Sequence, residues 1–247
     1  MDEWVIGKIV NIKRWNSYLF SLVISAAIDS FIAGQFTKLG MVVDGKKIVR
    51  SYSYVNSPYE KYLEFYLVNV KNGKFSSRLH DLNIGSKLLV RRKSSGFFVL
   101  DSVPSCKYLW MIATGTAIGP YLSILKCGIG LSRFRRIFLI HAVRYVSDLS
   151  YLPDMLFLQE NNKNVRIQTI VSRENVSDSL FGRIPDLLCN GSLEDKMSVF
   201  LKPETCHVML CGNPNMVRDM TVLLENTRGM KKNIRNNPGN ITIERYW

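Results

Sequence analysis

The sequence predicts a β domain followed by an α/β domain, and three observations carry that expectation. Over the first hundred residues short apolar runs alternate with turn residues, the pattern of a small antiparallel barrel or sandwich. Beyond Asp101–Ser105 apolar runs alternate with helical stretches, which argues for a parallel sheet covered on both faces. The chain of 247 residues is 47% hydrophobic, ample for one large core or two modest ones. The division is placed at 1–100 and 101–247.

In the first part, Trp4–Ile12 and Tyr18–Ile24 read as two strands around the turn Lys13-Arg14-Trp15-Asn16. Met41-Val42-Val43 and Ile48-Val49 flank Asp44-Gly45, a hairpin signal. Leu63–Val70 alternates as a strand should. Leu79-His80-Asp81-Leu82 predicts a short helix, and Leu88-Leu89-Val90 and Phe97-Phe98-Val99-Leu100 predict two more strands. In the second part, Tyr108–Ala113, Arg136–His141, Arg166–Val171 and His207–Cys211 predict strands. Helices are expected from Pro120 to Cys127 and over roughly Pro214–Thr227, and a loop at Asn161-Asn162-Lys163-Asn164. Between Lys107 and Lys126 no residue is charged, a length that imitates a membrane span. Its interior Thr114-Gly115-Thr116-Ala117-Ile118-Gly119-Pro120 has turn composition, so strand, turn and helix fit better, and no membrane association is expected.

The formal charge of +13 attracts nucleic acid, anionic lipid or an acidic protein. Lysines and arginines are spread along the chain, with one dense run at Arg91-Arg92-Lys93, which argues against nucleic acid as the partner. Five cysteines, Cys106, Cys127, Cys189, Cys206 and Cys211, are an odd number without CxxC spacing. That points to a reducing, cytoplasmic setting without disulfides or an iron–sulfur cluster. Met1-Asp2-Glu3-Trp4 carries acid where a signal peptide needs base. His80, His141 and His207 have no metal-ligand spacing, no metal is expected, and no G-x-S-x-G hydrolase elbow is present.

Chemistry concentrates first at Arg50-Ser51-Tyr52-Ser53-Tyr54. In an extended segment Arg50 and Tyr52 share a face, roughly 7 Å apart. A ligand could then lay a phosphate on the guanidinium fork and a flat ring on the phenol; the alternative is a solvated strand. In an open parallel sheet, ligands bind beyond the carboxyl ends of the strands. Thr114–Pro120, after the first strand, can receive a phosphate on free amides or can simply be a turn that needs its glycines. After the second comes His141-Ala142-Val143-Arg144, after the third Ser172-Arg173, and then Arg183 in Gly182-Arg183-Ile184-Pro185. An Arg at such positions accommodates a 2′-phosphate, where an acid would take a ribose hydroxyl; the other reading is that a chain with 33 Lys and Arg places some there. Cys211-Gly212-Asn213-Pro214 follows the last strand, and Cys211 either packs there or touches a nicotinamide. The terminal Tyr246-Trp247 suggests a docked indole, on a core or on a flat cofactor face.

Together these pieces resemble the ferredoxin–NADP reductases. Arg50-Ser51-Tyr52-Ser53 is similar to the family's R-x-Y-S flavin motif, and Gly73-Lys74-Phe75-Ser76 to its second flavin-phosphate segment. Gly115–Pro120 is similar to its pyridine-nucleotide turn and Cys211–Pro214 to its nicotinamide-side turn. The terminal Tyr246-Trp247 and the short length resemble the bacterial ferredoxin/flavodoxin–NADP reductase subclass. The resemblance spans Trp4 to Trp247, and departs at position 75, where Phe replaces a smaller aliphatic residue.

The resemblance implies FAD on an N-terminal antiparallel β-barrel and NADP(H) on the C-terminal α/β domain. It implies that Arg50 and Ser51 bind the FAD phosphates, that Tyr52 stacks on the flavin, and that Ser53 lies near its reacting nitrogen. Tyr66, Leu67, Val68, Lys74, Phe75 and Ser76 line the rest of the FAD, and Thr116 contacts both cofactors. Tyr246 and Trp247 cover the other flavin face. Arg144, Ser172, Arg173 and Arg183 hold the 2′-phosphate end of NADP, and Val143, Asn213, Met216 and Val217 are further NADP-binding residues. Ser53, Cys211 and Trp247 are the residues implied at the reacting centre. The activity implied is hydride transfer from NADPH to FAD, then single-electron delivery to an acidic ferredoxin or flavodoxin, encounter being hastened by the +13 charge. A monomer is expected. A reductase component feeding an oxygenase shares every motif, and a basic binding module without redox function is the reading from another class.

Overall fold

The computed structural model describes residues 3–71 and 73–246. The chain divides into two compact units. The first takes residues up to Val99 together with Gly119–Cys127, and the second takes Leu100–Ile118 and the chain from Gly128 onward.

The first unit holds strands β1 (Trp4–Arg14), β2 (Leu19–Ser25), β3 (Phe36–Val43), β4 (Lys46–Ser53) and β5 (Leu63–Val68), helix α1 (Ser76–His80) and strand β6 (Lys87–Arg91). They form one sheet in the order β4-β3-β6-β1-β2-β5, antiparallel at every step. A bridge between Tyr54 and Phe65 brings its two edges together. Ile9, Phe20, Leu22, Ile24, Leu39, Phe65, Leu67, Leu88 and Val90 fill the interior, the inward half of the two-residue alternation. The β3–β4 hairpin turns on Asp44 (φ 51°) and Gly45 (φ 73°), the two left-handed residues that a tight hairpin needs.

Two expectations are corrected here. Phe97–Leu100 is not a strand. Gly96 (φ 128°) breaks the extended path after a single bridge from Ser95 to Phe36, and Phe98 and Val99 are buried as irregular chain. The short helix starts earlier than Leu79, because Val70 N donates to Ser76 Oγ at 3.1 Å and Ser77 Oγ donates to the Gly73 carbonyl, which winds the chain from Ser76.

The second unit is built on β7 (Tyr108–Thr114), β8 (Arg136–Val143), β9 (Val165–Val171), β10 (Ser179–Phe181), β11 (Cys206–Gly212) and β12 (Ile241–Arg245). The sheet order is β10-β9-β8-β7-β11-β12, and every neighbouring pair is parallel. β7, β8 and β11 are near-continuous apolar runs because both faces are covered. Between the strands lie helices α2 (Gly119–Cys127), α3 (Leu152–Asn161), α4 (Ile184–Cys189), α5 (Ser192–Met197) and α6 (Pro214–Arg228). Trp110, Ile112, Phe138, Ile140, Val208 and Leu210 pack with Val217, Met220 and Leu224 of α6. The charge-free segment resolves into β7, a 3-10 turn over Gly115–Ile118, and α2. No helix among the described residues is long and apolar enough to cross a membrane. Helix α2 is part of the first unit, where Ser123 Oγ donates to the Asn56 carbonyl at 2.7 Å and Lys126 Nζ lies 3.6 Å from Glu64.

Candidate functional site

In the first unit the site residues lie on β4, on β5 and in the approach to α1. β4 pairs Tyr52 with Thr37 and Arg50 with Leu39, so alternation puts the two on one side of the strand. Arg50 is exposed; its Nη1 donates to the carbonyl of Val49 at 2.8 Å, and it forms no ion pair with an acid among the described residues. Tyr52 is half-buried. Burial pushes its phenol up to about 12, with the nearby Arg50 guanidinium pulling the other way, so the hydroxyl is a neutral donor at physiological pH. An exposed guanidinium with no carboxylate partner among the described residues, beside a neutral phenol, is the donor set that an anionic group carrying a flat ring requires, and FAD fits it.

The Tyr52 ring lies near-parallel to Phe75, with centroids 6.2 Å apart and planes 23° from parallel. Phe75 is itself buried at the start of α1. Lys74 and Ser51 are exposed, and Ser53 is buried. The second ring of the opening stretch is core instead: Tyr54 is fully buried and stacks on Phe31 at 3.8 Å. On β5 the Leu67 side chain also lies in the barrel core, so what Leu67 offers a ligand is its backbone. Tyr66 meets Trp15 edge-on at 6.5 Å, and Val68 is half-buried at the strand end.

In the second unit the parallel sheet sends every strand's carboxyl end to one edge, and the remaining site residues collect there. After β8 and β9 two loops are laced together. Ser172 N and Oγ both donate to the Val143 carbonyl, at 3.1 and 3.3 Å, and Arg173 N donates to the Arg144 carbonyl at 3.0 Å. Gly182 N donates to the Val171 carbonyl, which brings Arg183 to the same edge. Arg144, Arg173 and Arg183 are exposed, and none forms an ion pair among the described residues. Val143 is buried with Leu149 and Val171.

Beyond β11, Asn213 caps α6, its Oδ1 accepting from Asn215 N at 2.9 Å and Met216 N at 3.4 Å. Val217 is fully buried and Met216 nearly so, so both side chains serve the core. Cys211 is fully buried, with its Sγ 4.0 Å from Glu244 Oε1, its register partner on β12. Burial first, and the Glu244 charge second, hold the thiol well above its usual range. Cys211 is therefore neutral, not a thiolate nucleophile. Tyr246 N donates to the Gly212 carbonyl at 3.0 Å; Trp247 lies outside the described residues.

Residue-by-residue reading missed two groups at this edge. Thr114 Oγ1 accepts from Asn213 N at 2.9 Å, tying the turn after β7 to the turn after β11. His141, in the strand Arg136–Val143, has its Nε2 2.9 Å from the Gly115 carbonyl. The available signal was a lone imidazole in an otherwise apolar strand interior.

Two family models match the chain: an oxidoreductase FAD-binding domain over residues 8–97 and an oxidoreductase NAD-binding domain over residues 111–221. The chain is 53% identical over 248 residues to the flavodoxin/ferredoxin–NADP reductases of Shigella flexneri and Escherichia coli (strain K12), covering 100% of each chain. It is 33% identical to a ferredoxin–NADP reductase of Pseudomonas aeruginosa, covering 99% of this chain and 98% of that one. Among solved structures it is similar to a ferredoxin NADP+ reductase from Neisseria gonorrhoeae with bound FAD and NADP, with a TM-score of 0.94, 31% identity and 100% of both chains covered.

Proposed function

The chain belongs to the flavodoxin/ferredoxin–NADP reductase family, and on that premise we propose how its own residues divide the work. The protein is an FAD-dependent oxidoreductase that passes electrons between NADPH and a flavodoxin or ferredoxin. Residues 1–100 carry FAD and 101–247 carry NADP(H); the two matched family models, 8–97 and 111–221, fall inside those limits. FAD, when bound, supplies the centre that takes a hydride from NADPH and releases electrons singly.

Arg50, with Ser51, holds the FAD pyrophosphate by charge-assisted hydrogen bonds, and Tyr52 gives the flavin a neutral aromatic face. Tyr66, Leu67, Val68, Lys74, Phe75 and Ser76 line the remainder. Arg144, Arg173 and Arg183, with Ser172, hold the 2′-phosphate of NADPH, and Val143 anchors their loops through its carbonyl, which accepts from Ser172. Thr116 touches both cofactors, Asn213 shapes the nicotinamide side, and Met216 and Val217 pack in the core behind it. Ser53 and Cys211 act as small neutral groups at the reacting centre. The buried, protonated thiol excludes water there without attacking the substrate. Tyr246, its N–H anchored on the Gly212 carbonyl at 3.0 Å, serves the flavin.

The structural observation that carries this reading is the pair of laced loops presenting Arg144 and Arg173 on one sheet edge, where neither meets a carboxylate among the described residues. Two such cations match a dianionic phosphate that NADPH has and NADH lacks. The test is a steady-state comparison of the two nucleotides on FAD-reconstituted protein with ferricyanide as acceptor. A kcat/KM at least tenfold higher for NADPH is expected; equal values would remove the reading. We also propose a cytoplasmic monomer without nucleic-acid or membrane partners. The five free cysteines support the reducing compartment, and sedimentation of the purified protein tests the monomer.

A further inference from the structure

From Ile137 to Val143, every residue of β8 except His141 is apolar, and His141 is fully buried. Its Nε2 lies 2.9 Å from the Gly115 carbonyl oxygen. A carbonyl only accepts, so Nε2 carries the proton and donates, and Nδ1 is the bare nitrogen. Nδ1 is buried without a hydrogen-bond partner among the described residues. An imidazole in this position leaves a polar atom unsatisfied that a leucine would not, so packing alone does not account for it. Burial lowers its pKa to about 4, outweighing the Gly115 bond and the Asp148 charge, both of which favour the protonated ring. The ring is neutral at physiological pH, and one hydrogen bond defines its tautomer.

That bond falls on a particular peptide. Gly115 (φ 55°) opens the 3-10 turn over Gly115–Ile118 at the carboxyl end of central strand β7. Its carbonyl and the N–H of Thr116 belong to one planar trans unit, and no cis peptide is present among the described residues. Fixing the oxygen toward His141 therefore fixes the Thr116 N–H in the opposite direction. The other flank is fixed too, since Thr114 Oγ1 accepts from Asn213 N at 2.9 Å. The turn is clamped from β8 on one side and from the β11 turn on the other.

We propose that His141 is a positioning residue for NADPH: by holding the Gly115 carbonyl it aims the Thr116 amide and sets the turn that receives the nucleotide. The inference rests on the reading that residues 114–118 take the pyridine nucleotide. It requires His141 to act through backbone geometry, so the loss falls on nucleotide binding more than on turnover.

The experiment compares His141→Gln, His141→Asn and His141→Leu in FAD-loaded protein. A Gln side-chain amide reaches about as far as Nε2, an Asn amide only about as far as Nδ1. For each, KM and kcat for NADPH are measured with ferricyanide, the Kd of NADP+ by visible difference spectroscopy, and amide hydrogen exchange across 114–118 by mass spectrometry. His141→Leu and His141→Asn should raise KM and Kd about fivefold or more with a smaller change in kcat, and should speed exchange in the turn. His141→Gln should restore both. Equal effects in all three variants, or an unchanged Kd in His141→Leu, would overturn the proposal. If no variant folds, the ¹⁵N shifts of His141 in the wild-type protein decide: the neutral Nε2–H tautomer is required, and an Nδ1–H tautomer overturns the clamp. A wild-type protein that gives no NADP+ difference spectrum while the ¹⁵N shifts show the clamp intact would instead overturn the nucleotide reading, and with it the role assigned to His141.

Discussion

Replacing Gly212 with alanine tests how the two turns of the second unit hold each other. Gly212 ends β11 with φ 135°, and a Cβ built there falls 2.1 Å from Thr114 Oγ1, 3.1 Å from Thr114 N and 3.2 Å from Thr114 Cβ. Thr114 cannot easily yield. It is β-branched, with few open rotamers, and its Oγ1 already accepts from Asn213 N. Forcing an L residue into that backbone region costs about 1–3 kcal/mol, and stranding the Asn213 donor costs about 1–3 kcal/mol more. A loss of about 2–6 kcal/mol is expected, a large part of the roughly 5–15 kcal/mol that holds a typical domain together. Urea unfolding of the Gly212→Ala, Thr114→Ala and double variants measures it. In the Thr114→Ala background the clashing oxygen is gone, so alanine at 212 should cost at least about 1 kcal/mol less. A Gly212→Ala protein within about 0.5 kcal/mol of wild type, or the same cost in both backgrounds, would rule out the Thr114 clash as the cause.

Acid should weaken the fold through its buried histidines. His141 and His207 ionise near 6.5 when unfolded but at about 4 in the fold, burial being the main cause for each. The unfolded chain thus binds the extra protons first. Stability is full above pH 6.5 and falls toward pH 4, by up to about 3 kcal/mol for each histidine; a flat profile of urea midpoints over that window would contradict the burial argument. Removing Arg173 or Arg144 as alanine should raise the KM for NADPH about tenfold or more while leaving that for NADH within about twofold; parallel losses for both nucleotides would dissociate these arginines from the 2′-phosphate. Arg50→Ala should weaken FAD retention on gel filtration and raise the Tyr52 phenol further, since the guanidinium now pulls it down; spectrophotometric titration of the tyrosines reports the second effect, and a downward shift would refute it.

What was legible in the sequence followed from local pattern. β7, β8, β9 and β11 stand out because strands buried on both faces are apolar almost throughout, and Arg50 and Tyr52 could be placed on one side by strand alternation alone. The rest depends on distant partners. β10 has three residues and exists through pairing with β9. β12 follows a stretch rich in Asn, Gly and Pro, and its place comes from its register with β11. Phe97–Leu100 has strand composition but meets no partner strand beyond the Ser95 bridge. Helix α3 is masked by Leu156 and Phe157, which are exposed on its outer side. At the site, the Tyr52–Phe75 ring pair and the bond from His141 to Gly115 join residues 23 and 26 positions apart. Periodicity carries no information at that range.

This chain moves electrons between NADPH and a flavodoxin or ferredoxin through bound FAD. An anaerobic titration of the FAD-reconstituted protein with NADPH, followed by addition of oxidised flavodoxin or ferredoxin, tests it most directly. NADPH should bleach the visible flavin bands well before NADH does, and adding the carrier should restore them as the carrier is reduced. A protein that retains no flavin bands, or whose bands bleach equally with both nucleotides and stay bleached when the carrier is added, would contradict it.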